Sequence, residues 1–413
     1  MNINKFAIFS EGSIRGGVDT FLLNLIESWP ETDSVDLLIN SGYAGNHKFS
    51  NISRKNFNIF NWVSILKIFE KRHDSVPKIS NIIKAIYRIL YYPILFPLLI
   101  MQLYFFFKKN DWDYLLVVNG GHPGSLYCRA AIFSWALAKD KKSCIYSIHN
   151  TPSKFPWIIE IIEKYIDKWI FNLSKSIITV SNNAVSTFLS TSQRFSSWNL
   201  SFIYNGINDV SLSNSIVNPD NRMLLEINSL SPYVIMLATF EKRKGHDFLL
   251  EAFERVTKED RDITLLLIGD GSKAQIKAIK SKIALMNLEK KVKLKKFIND
   301  PYLYLKNAHI CLSASRDFEP FGLTLVEAMA LRVPLVISDV GGMPEVIGDS
   351  EAGKICNRND AKKYSDEILL YLSSKRKREL AGSKGRERYL KSFTAKKMAN
   401  NYKQLFIGNL HEQ

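Results

Sequence analysis

Short apolar segments alternate with helical patterns along this chain, and the alternation runs through twice. Lys5–Ser10, Ser34–Ile39, Tyr114–Val118, Ser143–Ile148 and Ser176–Val180 read as strands, with helices over Val18–Trp29 and Gly124–Lys139 among them. After a polar stretch rich in Asn and Ser, 208–231, strands return at Tyr233–Thr239, Thr264–Gly269, Val292–Phe297, Ile310–Ser313 and Pro334–Ser338. Strands of this kind separated by helices call for parallel sheets covered on both faces, since a helical crossover must carry the chain back to start each new strand. A length of 413 residues exceeds what one core usually supports. The expectation is therefore two doubly wound α/β domains, 1–207 and 208–394, with 208–231 as the linker into the second. Ligands of such sheets bind outside the carboxyl ends of strands, which predicts a site in the cleft that the two domains face across.

Composition narrows the class. An apolar share of 46% with 12% aromatics belongs to a folded chain with a large core. Cys128, Cys144, Cys311 and Cys356 are scattered, without a metal-binding or redox spacing, and read as buried thiols in a reducing compartment. Met1–Phe9 reads as a first strand rather than a leader, so a cytoplasmic protein is expected. The net charge of +16 points to nucleic acid or an anionic membrane surface. Lys and Arg are spread along the whole chain and no nucleic-acid-binding signature occurs, so no nucleic acid partner is expected. The lysine-rich stretch Lys273–Lys296 has helical spacing and reads as a solvated surface, or else a binding face.

Residues 86–107 approach the length of a membrane span and are almost wholly apolar and aromatic. Pro93, Pro97, Gln102 and Arg88 argue against a simple span, while Lys84, Arg88, Lys108, Lys109 and the tyrosines resemble interfacial anchors. A helical hairpin or helix lying in the membrane interface is the leading reading. A buried helix of the first domain and a true span are the alternatives.

Glu319 and Glu327 carry the strongest chemical signal. The apolar run Ala308–Ser313 reads as a buried strand and Leu323–Leu331 as a helix. Glu319 then lies on the strand-to-helix loop, Gly322 lets a ligand approach the backbone, and Glu327 falls on the first turns of the helix. The helix start offers unpaired N–H groups and a positive dipole end, which suits phosphate. Carboxylates on either side of that phosphate match a diphosphate with a sugar at each end, a nucleotide-sugar. The bland alternative is a loop charge and a solvated helix residue. Against it stands a second Gly-rich segment, Ser338–Ile347, after the apolar run Val333–Ile337.

Two further constellations sit at strand ends. Lys242, Arg243 and Lys244 precede Gly245 after the first strand of the second half, where they could hold a diphosphate or form an ordinary basic loop. His149 and His122 each end a strand; a lone histidine is usually structural, and this position improves the odds of function, for His149 ahead of His122. The segment Ser10–Thr20, with Gly16 and Gly17, also follows a strand and opens a helix. It is not a dinucleotide fingerprint.

Taken with the run Phe318–Ala330, these segments resemble the large family of retaining GT-B glycosyltransferases (group 1, family 4-like), in its bacterial polysaccharide-assembly form. That family's signature is a Glu, seven residues and a second Glu. Pro320 stands where it often has Gly, Arg332 replaces the Gly before Val333–Pro334, and Thr239 occupies the place of an arginine. The resemblance implies a GT-B fold of two Rossmann-like domains, with 395–413 a helix crossing back to the first. It implies transfer of a sugar from a UDP- or GDP-sugar to a glycan or lipid-linked acceptor with retention, in lipopolysaccharide, capsule or exopolysaccharide assembly. No cofactor and no metal are expected, and the protein should associate peripherally with the inner face of the plasma membrane. Glu319, Lys244 and His149 would be catalytic. The donor would be held by Gly16, Gly17, Arg243, Lys244, Glu319, Phe321, Gly322, Leu323 and Glu327. Arg243 would substitute for the missing arginine, or the site has lost one cation. Lys296 stands where the family often has a glycine near the base, so the base stays open. The competing readings are a GT-B nucleotide-sugar epimerase, a phosphorylase, or a non-catalytic envelope-assembly scaffold.

Overall fold

The computed structural model describes residues 3–12, 16–43, 45–63, 81–140, 143–153, 155–260 and 262–408, with the side chains of 81–93 and 158 outside the description. The chain divides into two compact units, Met1–Tyr204 with Ala395–Gln413, and Asn205–Thr394. The first holds β1 (Lys5–Ser10), β2 (Ser34–Asn40), β3 (Phe57–Trp62), β4 (Tyr114–Asn119), β5 (Cys144–Ile148), β6 (Ser176–Thr179) and β7 (Leu200–Phe202). Their order is β3-β2-β1-β4-β5-β6-β7, parallel throughout. The second holds β8 (Tyr233–Leu237), β9 (Thr264–Gly269), β10 (Val292–Lys296), β11 (Ile310–Ser313), β12 (Leu335–Ser338) and β13 (Gly353–Cys356) in the order β10-β9-β8-β11-β12-β13, again parallel. Both sheets reverse direction once, beside β1 and beside β8. These are the topological switch points, where the strand ends leave a crevice for ligand.

The period of two in β1 shows how a sheet is covered on both faces. Phe6 and Ile8 pack with Phe21, Leu22 and Leu25 of the helix Gly17–Glu27 and with Tyr402 and Phe406 of the last helix, Ala395–Ile407. Ala7 and Phe9 face the other way, into a core shared with the helices Asn81–Lys109, Leu126–Ala138 and Trp157–Leu173. Side chains of this size contribute about 1.5–3 kcal/mol each on full burial.

Three expectations need correction. Residues 86–107 do not form a hairpin: one helix, Asn81–Lys109, runs through Pro93 and Pro97. Leu95, Phe96, Leu99, Leu103 and Phe107 are buried in the first unit's core, while Ile94, Leu98, Met101 and Phe105 are exposed. Side-chain positions of the anchors Lys84 and Arg88 lie outside the described residues. Among the described residues no helix is long and apolar enough to cross a membrane. The polar stretch 208–231 is not a linker either. It folds into a turn at Val210–Leu212 and helices at Asn214–Val217 and Asn221–Leu230. Its polar side chains find distant partners: Asp209 accepts from Arg386 at 2.8 Å, and Ser215 donates to Asp300 at 2.6 Å. Third, Lys273–Lys296 is helical only to Leu285 and then becomes β10, where Lys295 donates to Glu226 at 2.5 Å.

Candidate active site

The loops after β8 and β11 flank the switch point of the second sheet, and the backbone joins them. The Arg316 N–H donates to the Arg243 carbonyl at 2.8 Å. Gly245, at φ 75°, brings its backbone so close that an added Cβ would stand 1.8 Å from the Ala314 carbonyl oxygen. A side chain there would force the loops apart.

That junction brings the sequence-predicted charges together. The Lys244 ammonium donates to the Glu319 carboxylate, and Arg243 Nη1 lies 3.7 Å from the same oxygen. Arg243 also donates from Nε to Glu241 at 2.6 Å, and Glu241 accepts from Thr239 Oγ1 at 2.9 Å. Thr239 therefore positions the carboxylate that holds Arg243. Burial pushes the Glu241 carboxyl up, but the bonds from Arg243 and Thr239 outweigh it and leave the group below its ordinary range. The Lys244 and Glu319 side chains are only 17% and 14% exposed, so their attraction is less screened than on an open surface.

Glu319 leads into the helix Leu323–Ala330, whose N-cap is Gly322 at φ 98°, a left-handed conformation that glycine adopts readily. Phe321 is buried, its ring edge-on to that of Phe393 with centroids 5.7 Å apart. The Glu319 carbonyl accepts from the Gly342 N–H at 2.9 Å, so the second Gly-rich segment buttresses this loop. Glu327 lies on the helix, and Tyr302 donates its hydroxyl to Glu327 Oε1 at 3.3 Å. The neighbouring Glu327 charge, and then burial, hold that phenol protonated well above its usual range. Sequence reasoning did not point to Tyr302. Its one signal is a tyrosine at the start of the helix Tyr302–Asn307, just before β11.

The other candidates belong to the first unit. Gly16 caps the helix Gly17–Glu27 and donates its N–H to Asp19 at 3.2 Å. A Cβ on Gly16 would meet nothing within 4 Å, so packing does not demand the glycine. His149 follows β5. Its ring lies 4.2 Å from that of Phe21, and Nε2 is 3.0 Å from Ser147 Oγ, which is 2.8 Å from the Tyr402 hydroxyl on the last helix. Burial pulls the imidazole down to about 3, so it is neutral at ordinary pH. His122 is fully buried, 2.7 Å from Asp167 and 3.2 Å from the Tyr146 hydroxyl among Phe188, Phe195 and Trp198. It is a core residue.

Comparison with known proteins fits this architecture. Residues 218–388 match the family described as "Glycosyl transferases group 1". The second unit thus carries a glycosyl transferases group 1 domain, and the two parallel-sheet units are those of the GT-B fold. Anabaena Alr3699/HepE, in a crystal structure in complex with UDP, superposes with a TM-score of 0.70 at 15% identity, over 98% of this chain and all of that one. N-acetyl-alpha-D-glucosaminyl L-malate synthase of Bacillus anthracis is 27% identical over 45% of this chain and 48% of its own length. A Campylobacter jejuni relative, N-acetylgalactosamine-N,N'-diacetylbacillosaminyl-diphospho-undecaprenol 4-alpha-N-acetylgalactosaminyltransferase, is 27% identical over 46% of this chain and 51% of its own. The chain thus spans about half the length of these curated relatives.

Proposed function

We propose that this chain is a glycosyltransferase moving a sugar from a UDP- or GDP-sugar to a glycan or lipid-linked acceptor, with retention of configuration, in cell-envelope polysaccharide assembly at the inner membrane face. The observation that carries the reading is the Lys244–Glu319 pair beside the start of the helix that bears Glu327. The helix N-terminus receives the diphosphate, aided by the N–H groups around Phe321, Gly322 and Leu323. Glu327 accepts from the ribose hydroxyls, and Glu319 from hydroxyls of the transferred sugar. The acceptor oxygen attacks the anomeric carbon as the bond to the diphosphate oxygen breaks and the nucleoside diphosphate leaves with the electron pair. Lys244 and Arg243 neutralise the growing negative charge, a type of electrostatic stabilisation that often dominates catalysis. The acceptor proton passes to the departing phosphate, as expected of front-side attack. No metal enters this account. Gly16 and Gly17, at the start of the first unit's first helix, are assigned to the donor by the family resemblance, and neutral His149 to a hydrogen bond with the sugar. The UDP of the Anabaena structure and the diphospho-undecaprenol in the name of the Campylobacter relative support donor and acceptor of these classes.

The test is a screen of UDP- and GDP-sugars for thermal stabilisation and slow donor hydrolysis, repeated with Glu319→Ala and Glu327→Ala. Glu327→Ala should lose donor stabilisation. Glu319→Ala should lose turnover while still binding the nucleoside diphosphate. Unchanged behaviour in both variants defeats the proposal. Epimerised donor, or phosphate-dependent cleavage of a glycan, would point to the epimerase or phosphorylase readings instead.

A further inference from the structure

The helix Trp157–Leu173 packs Ile166, Ile170 and Phe171 into the core, yet it also turns its acidic groups inward and keeps an aromatic row outside. Its three carboxylates turn toward the protein. Glu163, 5% exposed, accepts from Arg129 at 2.6 Å, and Asp167, fully buried, bonds His122 at 2.7 Å and lies 3.2 Å from Arg194 Nε. Glu160 sits 3.6 Å from the same guanidinium. The outward face holds Trp157, Ile161, Tyr165 and Trp169, every fourth residue, at 73%, 50%, 65% and 58% exposure. Its exposed charges are Lys164 and Lys168. Surface helices ordinarily place apolar residues inward and charges outward. The chain has seven tryptophans; five are buried, and the two exposed ones both stand on this face.

The same helical layer continues the pattern. The helix Leu126–Ala138 packs against both Trp157–Leu173 and Asn81–Lys109. The latter exposes Ile94, Leu98, Met101 and Phe105 along one stripe that ends at Lys108 and Lys109.

We propose that the outer side of this layer docks on an anionic lipid bilayer, with the helix Trp157–Leu173 lying in the interface. Tryptophan and tyrosine favour the headgroup level, isoleucine sinks beneath it, and the lysines meet anionic headgroups. Turning the carboxylates inward removes the groups that such a surface would repel, and the net charge of +16 adds long-range attraction. A protein partner fits less well, because lysine is depleted from protein–protein interface cores. The inference deepens the membrane-face part of the proposed function with a second element. It rests on no step of sugar transfer, so the two fail separately.

The experiment mixes the full chain with vesicles of phosphatidylcholine alone or with added phosphatidylglycerol, and follows flotation and tryptophan emission without nucleotide-sugar. Binding with a blue shift is expected on the phosphatidylglycerol vesicles, weakening as salt is raised. Trp157→Ser with Trp169→Ser should abolish the shift and weaken partitioning about tenfold or more per side chain. Lys164→Glu with Lys168→Glu should remove the preference for phosphatidylglycerol. Leu225→Ser and Leu285→Ser, at residues 70% and 79% exposed in the second unit, should change nothing. The proposal is overturned if the wild-type chain ignores phosphatidylglycerol vesicles, or if the double tryptophan variant binds as the wild type does. Self-association lost in that variant, without vesicle binding, would give the face to a second copy instead.

Discussion

The Lys244 ammonium bonds the Glu319 carboxylate, tying the loop after β8 to the loop after β11 at the switch point of the second sheet. The two residues are 75 positions apart in sequence. The contact depends on Gly245, which allows the loop backbones to meet, and on the Arg316 N–H bonded to the Arg243 carbonyl. On the proposed reading this cation, mostly out of water and held beside one carboxylate, meets the diphosphate. Little side-chain order remains to be imposed when the ligand arrives.

Lys244→Ala should therefore lower turnover by a factor on the order of 10²–10³, the size found when a group stabilising developing charge is removed. Steady-state kinetics with the donor identified by screening measures it. Thr239→Arg is the informative companion. The new cation would stand beside Glu241, which Thr239 and Arg243 now share, and should partly restore the Lys244→Ala rate. A normal Lys244→Ala alongside an inactive Arg243→Ala would move the diphosphate to Arg243.

Tyr302→Phe removes only the hydroxyl that donates to Glu327. A hydrogen bond to a charged group contributes about 1.5–3 kcal/mol at its strongest, and the 3.3 Å separation places this one at or below the lower end. Donor KM should rise several-fold with kcat nearly unchanged, since on the proposed reading the bond orients the carboxylate that holds the ribose. A fall in kcat at constant KM would show that Tyr302 acts on the reacting sugar instead.

What the sequence made legible follows from how local each signal is. Interior strands such as β1, β4 and β9 are apolar on both faces and stand out in any window. Of the four edge strands, β10 is legible, while β3, β7 and β13 are not, for the complementary reason. β3 interleaves Asn58 and Asn61 with its apolar residues, and β13 is four residues long with Lys354 and Ile355 exposed. The stretch 208–231 looked like a linker because its polar groups are satisfied by Arg386 and Asp300, 177 and 85 positions distant from Asp209 and Ser215. Glu319 and Lys244, which the structure brings together, stand out in the sequence because charges at strand ends leave a local pattern. Tyr302 does not, because its meaning lies in a carboxylate 25 positions further on. The inward side of Trp157–Leu173 was equally hidden, since Arg129, Arg194 and His122 reach it from other elements.

The helix Asn81–Lys109 offers a test between adjacent residues. Leu99 is fully buried and Leu98 is 42% exposed, so their identical side chains face opposite environments. Leu99→Ala should cost about 2–5 kcal/mol, the usual range for a leucine deleted from a packed core. Leu98→Ala should stay within about 0.5 kcal/mol. Urea unfolding followed by far-ultraviolet circular dichroism separates the two. Equal, small effects would mean that this helix is not part of the core.

Asp209 links stability to pH. Hydrogen bonds from Arg386, joined by those from Ser211, hold its carboxyl at about 2, below the ordinary 3.8. A carboxyl depressed in the folded state binds its proton more readily once unfolded, so it stabilises the fold fully above the unfolded value. That contribution fades as pH falls toward the folded value, because both states are then protonated. Asp209→Asn should therefore lower stability by about 1–2 kcal/mol at neutral pH, less than an ideal buried pair because the carboxylate is 27% exposed. The gap between variant and wild type should hold constant down to about pH 4 and shrink steadily toward about pH 2. Denaturant titrations at a series of pH values measure the gap directly. A gap that did not narrow in that window would mean that the Arg386 contact contributes through packing rather than through the charge on Asp209.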